Sequence, residues 1–219
     1  MGIIPARGGS KGIPHKNLAI CGGKPLVDWT VDAANQATSI TTAVLSSDSE
    51  DILSRANGKV QGLLRPEQFA TDGASQEEVI DHALENTPMP GDGIVVLLQP
   101  TSPLRKAAHI DEAVEMLAMS GAHSVVSVVA SHALLWHGET FEPDALYPVQ
   151  KRPNRQQMRL QWEENGAIYA FTLASWLMYH NRIGKRRILY PMSDEHRLQV
   201  DGLHELAWAH MSLLKPERP

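Results

Sequence analysis

Two short stretches, IVVLL at 94–98 and SVVSVV at 124–129, constrain the fold of this chain more than any other feature. A strand with one face in water alternates apolar and polar residues. These runs do not alternate cleanly, so they call for cover on both faces, as in a parallel sheet with helices packed above and below. Neighbouring segments supply the rest of that pattern. Strand-like runs at Ile3–Ile4, Thr42–Leu45 and Val60–Leu64 alternate with segments of helical period at Val27–Ala37, Ser49–Ala56, Ser75–Glu85 and Ala108–Met119. The expected fold is α/β, a doubly wound, mainly parallel sheet in three layers, with ligands at the carboxyl ends of the strands. A chain of 219 residues, 42% hydrophobic, has enough apolar surface for one sizeable core, and residues 1–219 are expected to form a single domain.

The rhythm breaks between about residues 131 and 165. His132, Trp136, His137, Phe141 and Tyr147 are interspersed with Pro143, Pro148 and Pro153, and a basic-polar run, KRPNRQQMR, follows. No period fits, so the expectation is an irregular insertion or projecting hairpin, of the kind that forms a lid or a subunit contact. Beyond it the sequence predicts a strand at Ala167–Phe171, a short helix at Leu173–Tyr179, a basic turn at Lys185–Arg187, a strand at Arg197–Asp201 and a last helix from about Leu203.

Composition excludes several classes of function. A net charge of −5 argues against a nucleic-acid-coating protein and leaves a small anion as the natural partner. Cys21 is the only cysteine, which rules out an intramolecular disulfide and a thiolate zinc site and suits a reducing cytoplasm. Charge begins at Arg7, leaving no room for a signal peptide, and the apolar runs are too short to span a bilayer, so no membrane association is expected. The histidines show neither HxH nor HExxH spacing; His82, His109, His123, His204 and His210 fall in or beside predicted helices and read as surface or satisfied core residues.

Chemistry concentrates where strands end. The opening segment, MGIIPARGGSKGIPHKN, runs from a strand through Pro5 into a turn with Gly8, Gly9 and Gly12 among Arg7, Lys11 and Lys16. Glycines permit close backbone approach or positive φ, and the cations bring charge, so the loop reads as an anion cradle, most naturally for a phosphate chain. It matches neither GxxxxGK[ST] nor GxGxxG, and an ordinary solvated turn is the competing reading. In LLQPTSPLR, Gln99 and Thr101 follow a strand, two prolines stiffen the turn, and Arg105 adds a fork suited to phosphate or carboxylate. In RPEQFATDGAS, Arg65 either clamps an anion or pairs with Glu67, while Asp72 and Ser75 read as helix caps. Asn165 and Gly166 read as a sharp turn feeding a strand, structural or functional; Tyr169 is equally a core candidate. Asp201 either caps the next helix or ligates a metal.

Taken together, IPARGGSKGIPHKN, SSDSEDI at 46–52, LRPEQFATDGAS at 64–75, LLQPTSPLR, RQQ at 155–157 and ENGAIYAF at 164–171 resemble, in order, the signatures of the CMP-N-acylneuraminate synthetases. The resemblance runs from about residue 3 to the last helix. It implies a Rossmann-like nucleotidyltransferase fold, with 131–165 as a dimerisation arm that contributes to the partner's sugar site in a homodimer. It implies that CMP passes from CTP to the C2 hydroxyl of a nonulosonic acid such as sialic, legionaminic or pseudaminic acid, with release of pyrophosphate. The nucleotide site it implies comprises Ala6, Arg7, Gly8, Gly9, Ser10, Lys11, Lys16, Asn17, Arg65 and Ser75; the sugar site comprises Gln99, Thr101, Ser102, Arg155, Gln156, Asn165 and Tyr169. Arg7, Lys11 and Lys16 would stabilise phosphate charge, and Asp201 would hold Mg²⁺ or Mn²⁺ and assist deprotonation of the attacking hydroxyl. The family's paired aspartates would share one face of a strand, but here Gln199 stands in the first place and Asp201 alone remains. Two other functions fit the same motifs: a related nucleotidyltransferase using another acidic sugar or base, and a nucleotide-binding homologue with little catalysis.

Overall fold

A seven-stranded sheet forms the middle layer of the computed structural model, which describes residues 1–215, the side chain of Arg155 excepted. Its strands are β1 (Gly2–Pro5), β2 (Ala43–Ser47), β3 (Val60–Leu64), β4 (Ile94–Leu97), β5 (Ser124–Ser131), β6 (Gln161–Thr172) and β7 (Arg187–Met192). Their order across the sheet is β7-β5-β6-β4-β1-β2-β3, and every pairing is parallel except those of β6 with β4 and β5. The helices are α1 (Leu26–Gln36), α2 (Glu50–Leu53), α3 (Gln76–Asn86), α4 (Ala107–Ser120), α5 (Leu173–Tyr179) and α6 (Leu203–Leu213).

Both faces of the sheet are covered, as the continuous apolar strands require. Ile4, Leu45, Val96, Val125 and Ile168 pack with Val27, Val31 and Ala34 of α1 and Ile110, Ala113 and Leu117 of α4. Their sequence neighbours Ile3, Val44, Val95, Leu97 and Val126 face the other way, against Ile80 and Ala83 of α3 and Trp176 of α5. Side chains alternate across a strand, so one short run such as Ile3–Ile4 serves both cores. The parallel strands end at a common edge, and there β1 hands the chain to the glycine-rich loop.

The structure corrects the expected layout in three places. Residues 197–201 are not a strand: Asp194–Arg197 is a 3₁₀ turn and 198–201 is an irregular link without sheet pairing. The strand lies earlier, at Arg187–Met192, where RILYPM hides it because Pro191 cannot donate to a ladder; β7 is an edge strand, where proline is tolerated. The irregular segment also closes sooner than expected, since β6 starts at Gln161 and passes through Asn165 and Gly166 as a bulge, with Gly166 at φ 65°, instead of beginning after a turn. What remains of the excursion carries a two-residue ribbon, Trp136–His137 against Asp144–Ala145, and exposes Leu135, Trp136, Phe141, Leu146 and Val149.

Candidate active site

The loop after β1 is held at its root by backbone. The Ala6 amide donates to the Ser46 carbonyl at 3.0 Å, the Gly8 amide donates to Asp48 Oδ1 at 2.8 Å, and Asn17 Nδ2 donates to the Arg7 carbonyl at 2.8 Å. The glycines do not adopt the positive φ the sequence allows; His15 does, at φ 51°. Gly12 instead meets the far end of the chain. A Cβ there would lie 2.2 Å from the Asp201 carbonyl oxygen, so only glycine lets the loop close onto residues 198–201. Lys16 Nζ fastens the same junction, donating to the Val200 carbonyl at 2.8 Å and to Asp201 Oδ1 at 3.0 Å. The Val200 amide in turn donates to the Thr101 carbonyl at 2.8 Å. The link 198–201 therefore threads between the 99–105 turn and the glycine-rich loop, and Gln199 and Asp201 are set by loop contacts, not by strand alternation.

Asp72 has a role the sequence did not suggest. Read as a cap, it reaches across to the loop: its Oδ1 takes Arg7 Nη1 at 2.7 Å and its Oδ2 takes Lys11 Nζ at 2.9 Å. Hydrogen bonds from Lys11 and Arg7 hold its carboxyl below the usual carboxylate range. Ser75, by contrast, does cap α3: its hydroxyl accepts from the Glu78 amide and its own amide donates to Glu78 Oε2. Arg65 neither pairs with Glu67 nor opens to solvent. It is only 5% exposed and gives its N–H groups to the Ser46 carbonyl and hydroxyl and the Phe69 carbonyl, fixing segment 65–69 against the end of β2. Burial, with help from the nearby charge of Arg7, pulls its guanidinium down to about 10.

The 99–105 turn has a similar division of labour. Arg105, expected as an anion fork, is buried and directed inward to the carbonyls of Gln99 and Ala167 and to Thr30 Oγ1; burial lowers it to about 9. Ser102 is buried and donates to the Asn165 carbonyl, and Asn165, 1% exposed, accepts from Ser127 Oγ and donates to the His196 carbonyl. These residues lie beneath the site and hold the bulge of β6 in place. Gly166 at that bulge lets Gln99 and Gln199 approach each other: a Cβ on it would meet Gln99 Oε1 at 2.5 Å and Gln199 Oε1 at 3.0 Å. Tyr169 is mostly core, but its hydroxyl donates to Glu164 Oε2 at 2.9 Å; burial first and Glu164 second push it up to about 12, so it stays a proton donor. Gln156 is exposed in the short turn Arg155–Gln157, and the side chain of Arg155 lies outside the described residues.

Ser10, Lys11, Lys16, Asn17, Asp48, Asp72, Gln99, Gln199 and Asp201 thus belong to one edge of the sheet, with cations on the β1 side and amides on the β4–β6 side. A family model of cytidylyltransferases matches residues 1–159. The chain belongs to the cytidylyltransferase family. It is 32% identical over 204 residues to the N-acylneuraminate cytidylyltransferase of Escherichia coli O18:K1:H7 (strain RS218 / NMEC), covering 91% of this chain and 48% of that protein. It is 31% identical over 207 residues to the N-acylneuraminate cytidylyltransferase of Oncorhynchus mykiss, covering 91% of this chain and 46% of the relative. The chain spans about half the length of the curated relatives it matches. Among solved structures, a CMP:2-keto-3-deoxy-manno-octonic acid synthetase complexed with CTP superposes with a TM-score of 0.69 at 17% identity, over 97% of both chains. The 4-diphosphocytidyl-2C-methyl-D-erythritol synthase of Anaerococcus prevotii DSM 20548 superposes with a TM-score of 0.66 at 13% identity, over 98% of this chain and 95% of that one. Both share the fold seen here.

In this cytidylyltransferase-family chain, two acidic residues, Asp48 and Asp72, add to the site members expected from the sequence. Asp48 sits directly after β2, at the same carboxyl-end edge that Gln99 reaches after β4. Asp72 had no local signal beyond its capping pattern. No group of three or more His, Cys, Asp and Glu side chains that could hold a metal comes together among the described residues, and no helix among them is long and apolar enough to cross a membrane.

Proposed function

We propose that this chain transfers CMP from CTP to the anomeric C2 hydroxyl of a nonulosonic, sialic-acid-like sugar acid. The hydroxyl oxygen attacks the α-phosphorus in line while its proton passes to solvent with the assistance of the Asp201 carboxylate, the bond from that phosphorus to the bridging oxygen breaks, and pyrophosphate leaves. The observation that supports the reading is the junction of Lys16, Gly12 and Asp201, which sets the cationic loop beside the Gln99–Gln199 amides: cations suited to phosphates next to amides suited to a polyhydroxyl ligand. Likeness to N-acylneuraminate cytidylyltransferases over 91% of the chain supports the choice of substrates.

In this reading Arg7, Lys11 and Lys16 neutralise the triphosphate, with Ser10 and the amides of Gly9 and Ser10 as further donors. Arg65 and the capped start of α3 shape the nucleoside end. Positioning and charge neutralisation are the protein's main work, because the nucleotide brings its own leaving group. A divalent cation, Mg²⁺ or Mn²⁺, fits this donor set as an ion carried largely by the phosphates: Asp201 offers one carboxylate, 73% exposed, and Gln199 a neutral amide oxygen. When bound, the cation supplies additional charge neutralisation at the phosphates. The sugar acid meets Gln99, Thr101 and Tyr169, and Gln156 and Arg155 serve it from the arm. The exposed apolar side chains of that arm form the contact of a homodimer, and the reaction draws on cytoplasmic CTP for surface polysaccharide synthesis.

Incubation of purified protein with CTP, Mg²⁺ and a panel of sialic, legionaminic and pseudaminic acids, following pyrophosphate, tests the proposal. Release that depends on one of these acids is expected. Release with another nucleotide instead points to a different nucleotidyltransferase, and CTP binding without release to a homologue that has lost turnover. Light scattering on the eluted protein tests the dimer, a monomer counting against it.

A further inference from the structure

Arg182 lies on the link between α5 and β7, outside every motif that marks the family, yet it joins the two halves of the site. Its Nη1 donates to Glu77 Oε1 at 2.5 Å, and both side chains are mostly buried. Glu77 is in the first turn of α3, directly after the segment that carries Ser75. The Arg182 guanidinium also lies over the Tyr169 ring, its central carbon 5.0 Å from the ring centroid. That hydroxyl in turn donates to Glu164, an exposed residue just before the bulge of β6. Arg182 Nε is buried and makes no hydrogen bond among the described residues. Arg182 is therefore held between the Glu77 carboxylate and the Tyr169 ring, whose hydroxyl carries the chain of contacts on to Glu164.

We infer that Arg182 is a positioning and charge-balancing residue for the acidic sugar, acting through Tyr169 and Glu164. The inference rests on the proposed function above. Glu164 and Glu77 place two negative charges at a wall that has to accept an anionic sugar. Without the guanidinium, that wall repels the substrate's carboxylate, and the Tyr169 ring loses the cation packed over its face. CTP is served by different cations across the site, so the effect falls on one substrate. A lysine at 182 restores the charge but lacks the flat guanidinium that bonds Glu77 while covering the Tyr169 ring.

The test is steady-state kinetics with each substrate varied in turn, with melting temperatures recorded alongside. Arg182→Met is expected to raise KM for the sugar acid at least about tenfold while KM for CTP stays within about twofold. Arg182→Lys should recover part of that loss. Glu77→Gln, which removes the opposing charge and keeps a hydrogen-bond acceptor, should leave the sugar KM at or below the wild-type value. A purely structural role gives a different pattern, with both variants of the pair lowering the melting temperature and neither separating the two substrates. An unchanged sugar KM in Arg182→Met, or equal rises for both substrates, overturns the inference. If Arg182→Met does not fold, Arg182→Lys and Glu77→Gln decide, and shifts of the same sign in both overturn it. If the wild-type protein itself releases no pyrophosphate with any sugar acid, the functional reading fails and the inference with it; turnover by the wild type with an unaffected Arg182→Met removes the inference alone.

Discussion

Lys11 is the most exposed cation of the loop, its side chain 79% accessible, and Asp72 is its partner together with Arg7. Under the proposed function, a carboxylate bridging the two cations assigned to the phosphates would act as an internal anion for CTP to displace or share. Two predictions of opposite sign follow from the one contact. Lys11→Ala removes the donor proposed for the triphosphate and should reduce kcat/KM for CTP at least about tenfold; unchanged kinetics would take Lys11 out of the site. Asp72→Asn frees Lys11 and Arg7, and calorimetric titration with CTP at low salt should show binding about two- to fivefold tighter, the small factor reflecting an exposed, screened pair. Weaker binding by Asp72→Asn would instead make Asp72 a support that the cations require.

At the level of elements, the segment that carries Gln199 and Asp201 is anchored by a histidine pair. His196 of the 194–197 turn and His109 near the start of α4 meet edge to face with ring centroids 4.5 Å apart. Nδ1 of His109 accepts from the Lys106 amide, and Nδ1 of His196 lies 2.8 Å from Ser193 Oγ. Burial, and then the neighbouring imidazole, pulls His109 down from 6.5 to about 4, and burial lowers His196 as well. Each ring is thus kept neutral in the folded protein, while the unfolded chain takes up protons below about 6.5. Stability from this pair is fully present above that pH and drains away as pH falls towards 4. Melting temperatures measured from pH 7 to 4.5 should fall, and His109→Gln, which keeps an acceptor for the Lys106 amide, should flatten part of that slope; parallel slopes would remove the pair as a cause. The sequence could not reveal this anchor, because it lies between a helix and a turn distant in the chain. RLQVD was read as a strand from its alternation, yet its backbone partners are Thr101 and Lys16, and no local pattern encodes those. Arg105 shows the same limit: its chemistry was legible as a fork of donors, but only the packed structure reveals that the fork points inward to Ala167 and Thr30.

Over the whole molecule, the legible part was the sheet and its carboxyl edge, because continuous apolar strands and the helical periods between them are local signals with one economical solution. What had to come from the structure was how residues from opposite ends of the chain meet on that edge. Gly12 is the point of contact. Read as room for a ligand, it proves to be room for the protein itself, since the Asp201 carbonyl occupies the space where a Cβ would lie. A methyl group 2.2 Å from a backbone oxygen cannot be absorbed by a side-chain rotation, so Gly12→Ala has to push the loop and the 198–201 link apart. That movement stretches the Lys16 contacts with Val200 and Asp201 and shifts Gln199 away from Gln99, disturbing the proposed phosphate and sugar regions together. Gly12→Ala should therefore lower kcat/KM for both substrates at least about tenfold. Gly91, where an added Cβ meets nothing within 4 Å, provides the matched control, and Gly91→Ala should remain within about twofold of wild type. Near-normal kinetics in Gly12→Ala would mean that the junction of loop and link is not what sets the geometry of the site.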